Sequence, residues 1–92
     1  MATSKAAPTA GLADLRQGID AVDRELLALL NRRAALSLQV GQLKAENSGP
    51  VFRPQREHEI LERLARENPG PLPTTHIQSI WREIFSSSRT LQ

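Results

Sequence analysis

The chain has 92 residues, 39% of them hydrophobic and 24% charged, which indicates one small globular domain. It has no cysteine, which excludes disulfides, thiolate metal sites and cysteine nucleophiles and suits a reducing cytoplasm. Its twelve basic and ten acidic residues are interleaved and leave a formal net charge of only +2, so we predict no nucleic-acid partner. Because no apolar run reaches the roughly 20 residues of a membrane span, we predict no membrane association either.

The N-terminal segment, residues 1–11, is predicted to be a disordered tail. It is rich in Ala, Ser and Thr, carries one lysine and lacks the apolar centre of a signal peptide. A fragment of an organelle transit peptide is the alternative, which this composition supports only weakly. Residues 12–92 are then expected to form a single domain.

The first predicted helix is long and runs from Leu12 to about Glu46, a stretch without proline that consists mostly of good helix formers. Its apolar residues recur at alternating spacings of three and four, the pattern of a packed helix face. They are Leu12, Leu15, Ile19, Val22, Leu26, Leu29, Leu36, Val40 and Leu43. The run from Asn47 to Pro50 then ends the helix.

Two shorter helices are predicted next. Pro54 suits the first turn of the second helix, and the proline- and glycine-rich run 68–73 predicts a loop after it. Thr75 and Gln78 have the spacing of a capping box at the start of the third helix. The apolar face of the second helix comprises Ile60, Leu61 and Leu64, and that of the third comprises Ile77, Ile80, Trp81, Ile84 and Phe85. We therefore predict an all-α fold of three helices.

The unequal helix lengths predict a dimer. At 1.5 Å per residue the long helix would span roughly 50 Å, and the two shorter ones roughly 21 and 27 Å. A long helix with two short partners has a poor surface-to-volume ratio, so its apolar face requires a second copy of itself. We expect a homodimer in which the two long helices pack together.

Several polar residues fall where the apolar pattern predicts inward-facing side chains. Arg33 lies on the apolar face of the first helix, and Lys44 projects from nearly the same side about three turns later. Glu57 lies on the apolar face of the second helix, beside Arg56. The third helix continues its apolar face with two polar residues, Ser88 and Gln92.

Two interpretations of these residues remain open. Arg33 and Glu57 could form a buried ion pair, with Ser88 and Gln92 marking a fraying helix end. Taken together, inward polarity on all three helices favours a pocket for a small anionic ligand. The lack of cysteine and of a His-x-x-x-His spacing argues against a metal site, and the serines at 86–88 have no evident base partner.

The order and spacing of these residues resemble the AroQ-type chorismate mutases over Leu12–Gln92. The resemblance lies in the segments Leu15-Arg16-x-x-Ile19-Asp20-x-x-Asp23-x-x-Leu26-Leu27-x-Leu29-Leu30, Arg32-Arg33, Val40-Gly41-x-x-Lys44, Pro50-Val51, Arg56-Glu57-x-x-Ile60-Leu61-x-Arg63-Leu64 and Ile84-Phe85-x-x-Ser88-x-x-x-Gln92. The run Arg53-Pro54-Gln55-Arg56-Glu57 is similar to mutase domains fused to prephenate dehydratase.

The resemblance implies a mutase domain at residues 12–92, forming an intertwined, domain-swapped homodimer in the cytoplasm. It implies the Claisen rearrangement of chorismate to prephenate in the shikimate pathway, for phenylalanine and tyrosine biosynthesis. That pericyclic reaction needs no nucleophile, metal or cofactor. The protein has to hold a dianion in a chair-like geometry and stabilise charge on the breaking ether oxygen.

The resemblance also implies roles for individual residues. Arg33 of one subunit and Arg16 of the other would each bind a substrate carboxylate. Lys44 would contact a carboxylate and the ether oxygen, and Gln92 would donate to that same oxygen. Glu57 would accept a hydrogen bond from the ring hydroxyl. The remaining substrate-binding residues would be Ser88, Arg56, whose role is expected to be mainly structural, and Arg53, which stands where enteric relatives carry an aspartate.

Two alternatives concern the function as a whole. The first is a weakly active, mutase-like module that binds an aromatic-pathway enzyme and regulates it. The second is a basic helical nucleic-acid binder, which the interleaved charges disfavour. Because the chain stops at Gln92, we expect either that the third helix ends there or that the chain is the mutase portion of a longer fused protein.

Overall fold

The computed structural model describes residues 11–47 and 54–91, and the side chains of residues 11–43 and 54–91. Within these ranges the chain forms three α-helices and no strand: α1 (Leu12–Asn47), α2 (Pro54–Glu67) and α3 (Thr74–Leu91). This confirms the predicted all-α fold of one long and two shorter helices. No helix in the described ranges is both long enough and apolar enough to cross a membrane. The predicted tail lies outside the described residues, apart from Gly11.

The chain divides into two compact units, and α1 has residues in each of them. The first unit comprises residues 1–32 and the second residues 33–92. In the first unit, the described residues form the beginning of α1, with Asp14 in its first turn accepting a hydrogen bond from the Gly11 amide. The apolar face of this segment is exposed by 50–63% at Leu12, Leu15, Ile19, Val22, Leu26 and Leu29.

The second unit contains the end of α1 together with α2 and α3. Its most buried apolar side chains are Ile60 of α2 and Phe85 of α3, which lie on the apolar faces that the sequence predicts. The amide of Gln78 donates to the Leu61 carbonyl oxygen at 3.3 Å and so joins α3 to α2. The predicted capping box is therefore wrong: α3 begins at Thr74, and Gln78 uses its side chain in a contact between helices.

The loop between α2 and α3 is organised by Asn68. Its side-chain amide donates to the Leu72 carbonyl at 2.9 Å and to the Thr74 hydroxyl at 3.1 Å. Its side-chain oxygen accepts from the Gly70 amide at 3.0 Å, and Gly70 has a φ of 80°, which favours glycine. One asparagine thus connects the end of α2 to the first residue of α3.

Candidate active site

The second unit contains a cavity of about 310 Å³ between its helices, within the size range of small-molecule pockets. Its polar lining consists of three arginines, one glutamate and two serines. The lining residues are Arg33, Leu36, Ser37 and Val40 of α1, Arg56, Glu57 and Ile60 of α2, and Phe85, Ser88 and Arg89 of α3. The three arginines and one glutamate give the cavity an excess of two positive charges.

Arg33 contacts two side chains of α3 in this cavity. Its Nη1 donates to the hydroxyl oxygen of the buried Ser88 at 3.2 Å, and its guanidinium lies 5.6 Å from the centre of the Phe85 ring, within cation–π range. Burial lowers the pKa of Arg33; Arg56 and Arg63 lower it further, and Glu57 opposes them. Arginine stays charged regardless, so an anion bound beside Arg33 would offset the electrostatic cost of burying its charge.

Glu57 is paired with a residue that the sequence interpretation did not consider. Its Oε2 accepts a hydrogen bond from Nη1 of Arg89, which lies on α3. The Glu57 side chain is 23% exposed and that of Arg89 is 39% exposed. The structure does not have the alternative ion pair between Arg33 and Glu57. Arg33 donates to Ser88 instead.

The structure brings four of the predicted site residues together around one cavity: Arg33, Arg56, Glu57 and Ser88. Arg16 belongs to the first unit, where it is exposed on α1. The backbone of Lys44 lies in α1, but its side chain is outside the described residues, as are Arg53 and Gln92.

Arg89 is the cavity residue that the sequence interpretation missed. It follows Trp81 and Phe85 at intervals of four, so helix periodicity alone places it on the inward face of α3. A basic residue in the last turn of a helix is ordinarily explained by its interaction with the helix dipole. That explanation does not require Arg89 to line a cavity.

This arrangement can bind a small dianion that also carries a hydroxyl group. Arginine guanidinium groups match carboxylates, and Glu57 can accept from a hydroxyl. Among the residues that the structure describes, no three His, Asp or Glu side chains are grouped so that they could hold a metal ion.

Comparison with known proteins identifies the family. The family model for chorismate mutase type II matches residues 15–92. A bifunctional chorismate mutase/prephenate dehydratase of Aquifex aeolicus is 39% identical over 85 residues, which cover 88% of this chain and 24% of that protein. The corresponding protein of Neisseria gonorrhoeae is 42% identical over 71 residues, covering 77% of this chain and 19% of that protein. The chain thus spans about a quarter or less of these relatives.

Solved structures give the same result over nearly their full length. The chorismate mutase of Thermus thermophilus aligns with a TM-score of 0.82 and 42% identity, covering 84% of this chain and 96% of that one. The chorismate mutase of Helicobacter pylori, solved in complex with prephenate, aligns with a TM-score of 0.80 and 35% identity, covering 87% of each chain. These matches confirm the resemblance that the sequence motifs indicate, and the chain belongs to the chorismate mutase type II family.

Proposed function

We propose that this chain is a chorismate mutase, an isomerase that converts chorismate to prephenate in the biosynthesis of phenylalanine and tyrosine. The observation that carries the proposal is the cavity of the second unit, whose excess of two positive charges matches a substrate with two carboxylates. The Helicobacter pylori relative was solved with prephenate, which is also a dicarboxylate.

The proposed reaction breaks the ether C–O bond and forms a C–C bond in a single step, so the protein supplies shape and charge only. Arg33 binds one carboxylate, and its hydrogen bond to Ser88 fixes the guanidinium beforehand. Glu57 accepts from the ring hydroxyl. Lys44 and Gln92 stabilise the negative charge that develops on the ether oxygen. No cofactor or metal takes part.

The remaining predicted residues complete the proposed site. Arg16 of the partner subunit binds the second carboxylate, so that each site is shared between two chains. Arg56 lines the cavity, and we propose that it acts mainly on the structure of the site. Arg53, which precedes α2 in the sequence, is proposed to bind substrate as well.

We further propose that the active form is the intertwined, domain-swapped homodimer. Six apolar side chains on the α1 segment of the first unit are 50–63% exposed, and a second copy of the chain is the partner whose matching face would cover them. Among the described residues, Ile60 and Phe85 are the buried large hydrophobic side chains, a small core for a chain of this size. Light scattering should give twice the mass of the chain.

We assign residues 12–92 to the mutase domain and residues 1–11 to a tail outside it. Because the Aquifex aeolicus and Neisseria gonorrhoeae relatives are bifunctional proteins, the chain is proposed to work fused to, or associated with, another aromatic-pathway enzyme. A cytoplasmic location fits the cysteine-free composition.

The test is to follow the loss of chorismate absorbance with purified protein and to identify prephenate by NMR. Arg33→Ala, purified in the same way, controls for a contaminating host mutase. The proposal requires rapid turnover by the isolated chain and none by the variant. A rate near the uncatalysed one, rising only when an aromatic-pathway enzyme is added, would support the regulatory-module alternative instead.

A further inference from the structure

The ion pair between Glu57 and Arg89 lies at the boundary of two cavities. Beside the cavity already described is a second one of about 290 Å³, lined by Pro54, Glu57, His58, Leu61, Arg82, Phe85 and Arg89. Three of its residues also border the first cavity: Glu57, Phe85 and Arg89. The pair therefore forms part of the wall that separates the two cavities.

We propose that Arg89 is a positioning residue that acts through Glu57 and fixes its carboxylate in the orientation that accepts the substrate hydroxyl. This inference rests on the proposed function. The contact joins α3 to α2 through a hydrogen bond from Nη1 of Arg89 to Oε2 of Glu57. A carboxylate held by one oxygen keeps Oε1 available for a second donor.

Two features of the cavity make such a restraint necessary. Glu57 has several rotatable bonds, and Arg33 and Arg56 line the same cavity, so an unrestrained carboxylate would be drawn towards the cations that the substrate has to reach. The hydrogen bond from Arg89 keeps Glu57 out of that contact. Holding it in place before binding also removes an ordering cost from the association step.

The kinetic consequence is specific. Glu57 would bind the ring hydroxyl, which takes no part in the bond that forms or in the bond that breaks. The contact between them is therefore equally strong in the ground state and the transition state. Loss of such uniform binding raises KM and leaves kcat unchanged. Because both side chains of the pair are partly exposed, the effect is moderate. We expect about a fivefold rise in KM for Arg89→Leu, with kcat within about twofold of wild type.

Two further variants separate positioning from general effects of charge. Arg89→Lys keeps a donor and the charge and should recover most of the loss in KM. Arg82 lies two turns earlier on the same helix and lines the second cavity but not the first, so Arg82→Leu is the matched control and should leave KM unchanged. Equal effects of Arg82→Leu and Arg89→Leu would overturn the proposal. Circular dichroism verifies that each variant is folded.

The deciding measurement is a double-mutant cycle with Glu57→Ala, which removes the carboxylate that Arg89 holds. If Arg89 acts through Glu57, Arg89→Leu should raise KM by less than about twofold in that background. If the full fivefold effect persists there, Arg89 acts on the dianion directly and the proposal is wrong. Inactivity of the wild-type protein would instead refute the proposed mutase function, whereas an active wild type with unaffected Arg89 variants would refute only the role of Arg89.

Discussion

At the scale of single residues, the charge of Arg33 lies in the cavity at an electrostatic cost. Burial and two neighbouring arginines, Arg56 and Arg63, lower the pKa of Arg33, which means that its charge is held in a less favourable setting than in water. The hydrogen bond to Ser88 and the ring of Phe85 offset part of this cost. In the proposed function, a substrate carboxylate would supply the remaining compensation.

The first prediction concerns these cations. Arg33→Ala should lower kcat/KM by at least about 100-fold, because a charge-assisted contact to a carboxylate is lost in a partly desolvated site. Its free energy of unfolding should change by less than about 1 kcal/mol, since the lost hydrogen bond and the relieved repulsion nearly cancel. Lys44→Ala should likewise abolish turnover. Both variants should stay helical and dimeric by circular dichroism and light scattering.

Arg66→Ala serves as the control for these variants, because Arg66 is an exposed arginine in the last turn of α2. It removes the same charge and should leave kcat/KM unchanged. Near-normal turnover in Arg33→Ala would mean that the inward cations serve the structure rather than the substrate.

The sequence predicts the helix face on which a residue lies better than it predicts which side chain that residue contacts. The apolar spacing places Arg33, Glu57 and Ser88 on inward faces of three separate helices, and the structure has all three lining one cavity. Which of them pair with each other depends on the rotation of each helix and on side-chain rotamers. Neither of these follows from periodicity, so Arg89 was not recognised as the partner of Glu57.

At the scale of helices and loops, the proline and glycine residues that break helices decide where each element begins and ends. Pro54 begins α2 and the loop occupies 68–73, both as the sequence predicts. The start of α3 differs from the prediction because capping motifs describe an isolated helix end. Here the Leu61 carbonyl offers Gln78 an acceptor on another helix, and the tertiary contact replaces the local one.

The second prediction concerns the loop between α2 and α3. Asn68→Ala removes three side-chain hydrogen bonds in a partly exposed loop and should lower the free energy of unfolding by about 1–2 kcal/mol. Asn68→Asp keeps the acceptor for the Gly70 amide but loses both donated bonds, so it should give an intermediate loss. Urea unfolding at one fixed protein concentration provides the measurement.

The control for this loop is Asn31→Ala, because Asn31 donates only to the Leu27 carbonyl within an exposed turn of α1. Alanine is the better helix former there, so this variant should be neutral or slightly stabilising. A stability of Asn68→Ala equal to wild type would show that the loop is held by backbone contacts alone.

At the scale of the whole molecule, the distribution of exposed apolar surface supports assembly. The first unit has an apolar helix face that no other described part of that unit covers, whereas the second unit has its own small core and the cavity. In the proposed dimer, the first unit of one chain supplies Arg16 to a cavity of the other chain. Folding, assembly and activity would then depend on the same surface.

The third prediction tests this sharing. Arg16 and Arg33 are 17 residues apart in the sequence, and an ideal α-helix separates such positions by about 25 Å along its axis. We therefore expect that one small substrate does not reach both in a single chain. Arg16→Ala and Arg33→Ala homodimers should each be nearly inactive. When an equal mixture is unfolded and refolded, half of the dimers are mixed, and each mixed dimer has one intact site. About a quarter of the wild-type activity should therefore return.

The matched control combines Arg33→Ala with Glu57→Ala. Both residues line the same cavity of one chain, so every site in a mixed dimer of these two variants carries one of the two defects. Refolding that mixture should give no activity beyond the average of the two parent variants. Native mass spectrometry of differently tagged chains establishes that mixed dimers have formed. If verified Arg16→Ala/Arg33→Ala heterodimers recover nothing, or if the control mixture recovers equally well, the two arginines do not come from different subunits of one site.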